Sequence, residues 1–339
     1  MQDAAIAQRF EKDRTKLTTL QAIQDTVADE LQEFRRYYRG AVRSPVGLLN
    51  TVVQYVLRQK GKRIRPTLVL LSAQACGGIS EASYRAAALV ELLHTATLVH
   101  DDVVDEAETR RGVFSVNALW KNKTAVLLGD YLLSRGLLLS LEHGDFETLR
   151  ILSDSVRRMS EGELLQIEKA RRMDIDEATY FRIISDKTAS LISACAACGA
   201  HSASADPEWI ESMRVMGESL GLAFQIRDDL FDYGAVDIGK PLGVDLQGRK
   251  LTLPLIYALR TTDPMRRAAV MKIIRKAKKS RTDRQSVIRF VDETGGLAYA
   301  RERMVGFVHD AQEMLAMLPP TPARDALTDL AEYVIARKR

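Results

Sequence analysis

Apolar residues recur three and four positions apart along most of the chain, and strict alternation is rare. That period places them on one face of a helix rather than of a strand. It predicts helices over 16–40, 46–59, 81–106, 123–142, 145–171 and 176–201. Pro66 suits the first position of another helix, which Gly77-Gly78 ends. Asp206-Pro207 pairs a capping residue with a first-turn proline, so a helix starts there and runs to Tyr233, stopped by Gly234. Further helices follow to the C-terminus. No Gly/Ser linker, low-complexity block or short repeat divides the chain. The expectation is an all-α fold in one domain over 1–339.

Composition supports this reading. Apolar residues make up 46% of the chain but aromatic ones only 6%, a mixture that suits packed helices better than sheets. The net charge of +4 is too weak to demand a polyanionic partner, and no nucleic-acid-binding signature is present. The strongest basic run, Lys272 to Arg281, reads as a solvated helix face, with contact to anionic lipid headgroups as the alternative. Cys76, Cys195 and Cys198 are too few for a disulfide framework and fit a reducing compartment. Cys195 and Cys198 form a CxxC within an Ala-rich helical stretch, and they read as small core residues. The polar first residues lack the apolar core of a secretion signal. The most apolar region is broken by Asp130, Ser134 and Arg135, so no membrane span is expected. Cytoplasm is the expected compartment.

Two clusters break the amphipathic pattern. Asp101-Asp102-Val103-Val104-Asp105 and Asp228-Asp229-Leu230-Phe231-Asp232 are both DDxxD, and each ends a long predicted helix. On a helix, Asp101 and Asp105 project together, as do Asp228 and Asp232. Carboxylates so placed repel each other and oppose the helix dipole. Bound cations would compensate. All-oxygen ligands select magnesium, calcium or manganese, and magnesium completes its shell with water and phosphate oxygens. A polyphosphate ligand between the clusters is the expectation.

Basic residues stand nearby. Gly61-Lys62-Arg63-Ile64-Arg65-Pro66 crowds positive charge ahead of a helix start, a plausible anion site. Arg110 and Arg111 follow the first cluster and could neutralise it or grip phosphates bidentately. Lys187-Thr188, Lys240 and Lys250 are further candidates, Lys240 lying in a Gly/Pro-rich loop just behind the second cluster. His94 is two turns before Asp101, roughly on its face.

Taken together, GKRIRP at 61–66, ELLHTATLVHDDVVDEAETRRG at 91–112, DKTASL at 186–191 and FQIRDDLFDY…GKPLGVDLQGRKLTLPL at 224–255 closely resemble the trans-isoprenyl diphosphate synthase, or polyprenyl synthetase, family. The likeness spans about 45 to 320, with residues 1–40 as a helical extension. It implies the isoprenoid synthase fold, a bundle of mostly antiparallel helices around a deep central cavity, usually in a homodimer. It also implies Asp101, Asp105 and Asp228 as principal magnesium ligands, with Asp102, Asp229 and Asp232 as further oxygens or supporting contacts. Three magnesium ions, replaceable by manganese, would bridge the diphosphate. Lys62, Arg65, His94 and Arg111 resemble the isopentenyl diphosphate site. Arg110, Lys187, Thr188, Gln225, Lys240 and the weaker Lys250 resemble the allylic diphosphate site, where Lys187 and Lys240 also assist catalysis. No motif residue is missing.

The growing tail would run down the helix before Asp101. Ala96 and Thr97 are small where short-chain members of the family commonly place aromatics. Beyond them lie Leu93, Val90 and Leu89, with Val90 about 17 Å from Asp101. Leu137, Leu138 and Leu141 of a later helix are candidates for the far wall. The expected product is long, heptaprenyl to nonaprenyl, for a quinone side chain. Alternatives are a short-chain (farnesyl or geranylgeranyl) synthase, a terpene cyclase, against which GKRIRP counts, and a regulatory subunit, against which the intact aspartates count.

Overall fold

The computed structural model describes residues 19–59, 61–110, 112–234, 243–248 and 250–336. Helices run as α1 (Leu20–Asp25), α2 (Ala28–Ala41), α3 (Gly47–Arg58), α4 (Ile64–Ala75) and α5 (Glu81–Val104). A short antiparallel hairpin, β1 (Thr109–Arg110) and β2 (Val113–Phe114), precedes α6 (Val116–His143) and α7 (Phe146–Arg172). Then come α8 (Glu177–Ile184), a π-turn (Ser185–Ala189), α9 (Ser190–Ser202) and α10 (Pro207–Phe231). The remainder is α11 (Val244–Gln247), α12 (Leu253–Thr261), α13 (Pro264–Ile274), α14 (Arg281–Glu293), α15 (Gly296–Ala316) and α16 (Pro322–Ala336). The all-α expectation holds.

The core centres on α4 and α9, which are apolar or small nearly all round and buried along most of their length. Helices of that kind belong in the interior. α9 packs against α4, α5, α7 and α10. Its Ala, Ser, Cys and Gly side chains allow close approach: a Cβ on Gly199 would fall 2.3 Å from the Val69 carbonyl oxygen. Cys195 and Cys198 lie here, fully buried. Burial pushes the Cys195 thiol up to about 12, which leaves it an inert packing residue.

Several boundaries differ from the sequence expectation, each for a local reason. The first helix is broken at Thr26-Val27, a β-branched pair whose Val27 is non-helical and buried. Pro66 occupies the third position of α4, still among the first four N–H groups that have no partner within a helix. Asp206 precedes Pro207 as expected but makes no side-chain cap. α6 begins at Val116, and Lys121 is non-helical within it, so the continuous stretch starts close to the predicted 123. The basic run does not occupy one helix face: α13 ends at Ile274, Lys279 is buried with its Nζ donating to the Lys276 carbonyl, and Lys276 pairs with Asp283 at 2.6 Å. Among the described residues, α6 alone has the length and apolar content to cross a bilayer. It nevertheless packs along α5 through Gly129 and Gly136, where a Cβ would meet the His100 ring and Leu89.

The predicted 176–201 helix contains the π-turn, which periodicity alone could not show. The π-turn is pinched between two glycines. A Cβ on Gly162 of α7 would fall 2.8 Å from the Lys187 amide nitrogen, and one on Gly221 of α10 would fall 2.4 Å from Ala189 Cα. Such contacts have no room to give. Gly162→Ala should therefore cost about 1–3 kcal/mol of stability. Gly306→Ala, with open space around it, should be neutral or stabilising by up to about 1 kcal/mol. Urea denaturation of both variants checks this.

Candidate active site

The first acidic cluster closes α5. Asp105 caps the helix and donates its N–H to the Asp101 carbonyl. Glu106 then takes a positive φ, and the β1–β2 hairpin turns the chain back. This return brings the Arg110 Nε 2.7 Å from Asp102 Oδ1. Asp102 is buried, whereas Asp101 and Asp105 are exposed. Loss of water raises the Asp101 carboxyl above its ordinary value, and the neighbouring Asp105 adds to the rise. Arg110 and Lys187 oppose it, while Glu163 reinforces it.

The second cluster closes α10 in the same manner. Asp229 is almost fully buried. Its Oδ2 accepts from the Tyr180 hydroxyl at 2.8 Å, and its Oδ1 accepts from Gln225 Nε2 and Lys250 Nζ, both at 3.0 Å. Lys250 also reaches Asp245 Oδ2 at 3.3 Å. Burial works against the Lys250 charge, but Asp229 and Asp245 outweigh it and hold the ammonium above its ordinary value. Asp232 accepts the Val244 N–H at 2.7 Å and the Asp245 N–H at 3.2 Å, so it fixes the start of α11. Asp228, immediately before Asp229, is half-buried.

The π-turn joins the two clusters. Thr188 Oγ1 donates to Gln225 Oε1 at 2.9 Å, which links the turn to Asp229. Lys187 forms an ion pair with Glu163 and lies 3.5 Å from Gln166 Oε1, both on α7. Lys187 and Glu163 also act on the Asp101 charge, so the turn lies within electrostatic reach of the first cluster. From behind, Arg158 grips Asp186 and Ser185, each at 2.8 Å, and Glu218 at 3.3 Å. π-turns inside helices frequently mark functional positions.

On the other side of α5 lies a cleft of about 100 Å3 whose lining includes Gln59, Gly61, Arg63, His94, Asp102 and Arg110. Lys62 and Arg65 flank Arg63, and His94 is buried. Ala96 is fully buried on the same α5 stripe as Leu89, Leu92 and His100, which meets α6. Thr97 is half-buried one turn before Asp101, and Leu93 and Val90 are buried below it.

Arg110 pairs with Asp102 and Lys250 with Asp229, as Lys187 does with Glu163. One expectation changes. Leu137, Leu138 and Leu141 do not close off a tail corridor within the chain, because they face outward at 44, 45 and 52% exposure. Arg111 and Lys240 lie outside the described residues. The sequence reading missed Glu163, Gln166 and Tyr180. The spacing of Glu163 and Gln166 directly after the pinched Gly162 was the available signal. Nothing local marked Tyr180.

The donor set suits a hard divalent cation: Asp101, Asp105 and Asp228 offer only carboxylate oxygens. The buried Tyr180 bond has a measurable worth. Tyr180→Phe keeps the ring and removes one donor to an ionised group, and it should cost about 1.5–3 kcal/mol in urea denaturation.

The polyprenyl synthetase family model matches residues 46–291. Octaprenyl diphosphate synthase of Escherichia coli is 36% identical over 322 residues, covering 94% of this chain and 99% of that protein. A decaprenyl diphosphate synthase from Rhodobacter capsulatus superposes with a TM-score of 0.89 at 36% identity, covering 95% of this chain and 100% of that one. A polyprenyl synthase from Caulobacter crescentus, solved with calcium and isoprenyl diphosphate, gives 0.85 at 31% identity, covering 96% and 99%. With acidic clusters closing two helices, a π-turn tied to one of them and these relatives along nearly its whole length, the chain belongs to the polyprenyl synthetase family and is a prenyltransferase.

Proposed function

We propose that this cytoplasmic enzyme joins an allylic prenyl diphosphate to isopentenyl diphosphate, releasing pyrophosphate, and repeats the step to give an all-trans heptaprenyl to nonaprenyl diphosphate for a quinone side chain. The observation that carries the reading is the π-turn itself: Lys187 and Thr188 sit on it, tied to the second acidic cluster and within electrostatic reach of the first.

Magnesium held by Asp101, Asp105 and Asp228 would supply charge neutralisation to the departing diphosphate. Lys187 and Thr188 grip the allylic diphosphate, with Gln225 orienting Thr188 and Lys240 contributing from its loop. Arg110 and Lys250 act one step back, neutralising Asp102 and Asp229, while Asp232 steadies the following segment. Lys62, Arg65 and His94, with Arg111, hold isopentenyl diphosphate. Fixed positive groups stabilise charge as it develops on the leaving oxygen. The allylic cation requires a dry, apolar surrounding, since water would capture it. The isopentenyl double bond attacks that cation, and the proton then lost passes to pyrophosphate.

The outward row Leu127, Leu137, Leu138 and Leu141 of α6 fits a second copy of the chain. Exposed apolar rows of this kind mark association surfaces, and a homodimer would also shield α6.

Incubation of the protein with magnesium, farnesyl diphosphate and labelled isopentenyl diphosphate should give heptaprenyl to nonaprenyl products, resolved by chain length on chromatography. Failure to elongate rejects the reading, and conversion of farnesyl diphosphate alone points to a cyclase. Thr97→Phe should shorten the product. Ala96→Phe should do the same while lowering the melting temperature, because Ala96 has no exposed surface and overpacking costs about 1–3 kcal/mol. Asp101→Asn should lower kcat at least ~100-fold yet leave the metal-free melting temperature unchanged or higher, since it relieves repulsion with Asp105.

A further inference from the structure

One side of the cleft beside His94 comes from α2, outside the family motifs. Phe34 and Tyr38 of α2 are buried, and their rings stack at 5.6 Å. The Tyr38 hydroxyl lies 3.3 Å from Thr95 Oγ1 on α5. These contacts fix the inner face of α2 against α5. Arg35 and Arg39 each follow one of these aromatics in sequence and stand one helical turn apart. Both line the same cleft as Gln59, Gly61 and His94.

Arg63 reaches that cleft from another direction. It is the residue before α4 and takes a left-handed conformation, φ 52°. That is uncommon for a side chain other than glycine, and strain of this kind gathers at ligand-holding positions. Burial lowers the Arg63 guanidinium below its ordinary value. Arg35 and, more weakly, Arg39 push the same way, against Glu91. Asp102 also lines the cleft, but Arg110 already engages it. Three guanidinium groups therefore meet around one acidic neighbour, and among the described residues none of the three forms a salt bridge. Like charges do not converge without cost. The planar fork of arginine matches phosphate oxygens bidentately.

We propose that Arg35, Arg39 and Arg63 form the outer wall of the isopentenyl diphosphate pocket and set the affinity of the enzyme for that substrate. The proposal rests on the prenyltransferase reading above. In it, Lys62 and Arg65 of GKRIRP hold the inner side of the diphosphate, and α2 closes the pocket over the distal phosphate. The wall acts on binding and has no part in bond breaking.

Steady-state kinetics of an Arg35→Gln/Arg39→Gln variant test it, with farnesyl and isopentenyl diphosphate varied separately. The KM for isopentenyl diphosphate should rise about ten-fold, with the KM for farnesyl diphosphate and kcat changed less than about two-fold. The Lys/Lys variant should recover part of the loss, because charge is kept while the fork is lost. Arg36→Gln, which removes the partner of Glu33 elsewhere on α2, should leave all three constants unchanged. Wild-type enzyme that elongates, with a double variant whose isopentenyl KM is unchanged, overturns the wall alone. An equal rise in both KM values overturns it as well, since that is a general loss of structure. A wild-type protein with no elongation overturns the underlying reading instead. Should the Gln double variant lose its helical circular dichroism, the Arg39→Lys single variant carries the same comparison.

Discussion

Two helices end in carboxylates, at the pole where a helix dipole disfavours negative charge, and much of the surrounding structure serves to hold those ends in place. Both ends use one solution. The middle aspartate of each DDxxD is drawn inward and neutralised, Asp102 by Arg110 and Asp229 by Lys250. Pairing the inner carboxylate fixes the helix end and leaves the outer ones aimed elsewhere. Deleting one partner of such a buried pair strands a charge, which is far costlier than the pair is stabilising.

The hydrogen-bonded chain from Thr188 through Gln225 to Asp229 then carries this order into the π-turn. Tyr180 closes the chain from α8, and Arg158 with Glu218 braces the turn from behind. Lys187 and Thr188 are thus held by neighbours packed behind them. Electrostatic catalysis gains from that arrangement, because dipoles fixed beforehand need no reorganisation as charge develops.

Much of this was legible in the residues. Helical periodicity reported the bundle, and the paired DDxxD clusters reported where charge gathers. What escaped was what depends on the third dimension. Regular spacing hides a π-turn, since Ser185–Ala189 has an ordinary helical composition. The inward turn of Asp102 and Asp229 is set by Arg110 and Lys250, 8 and 21 residues away, whose approach requires the folded loops. Tyr180 looks like any aromatic on an apolar helix until Asp229 is placed opposite its hydroxyl, 49 residues on. Leu137, Leu138 and Leu141 have the right character for a tail wall, but which side of α6 they occupy depends on Gly129 and Gly136, which turn that helix onto α5.

The π-turn also sets the phase of everything after it. One extra residue in a helix rotates the following side chains by about 100° relative to an unbroken one. α9, the small-faced central helix, begins directly after this turn. Its contacts with α4 and α10 exist only in that phase. Removing the inserted residue would swing Lys187 away from the carboxylates and at the same stroke present the wrong faces of Ser193, Ala196 and Gly199 to their neighbours. Candidate site and core here share a single backbone irregularity, so a change that removes it would disturb both.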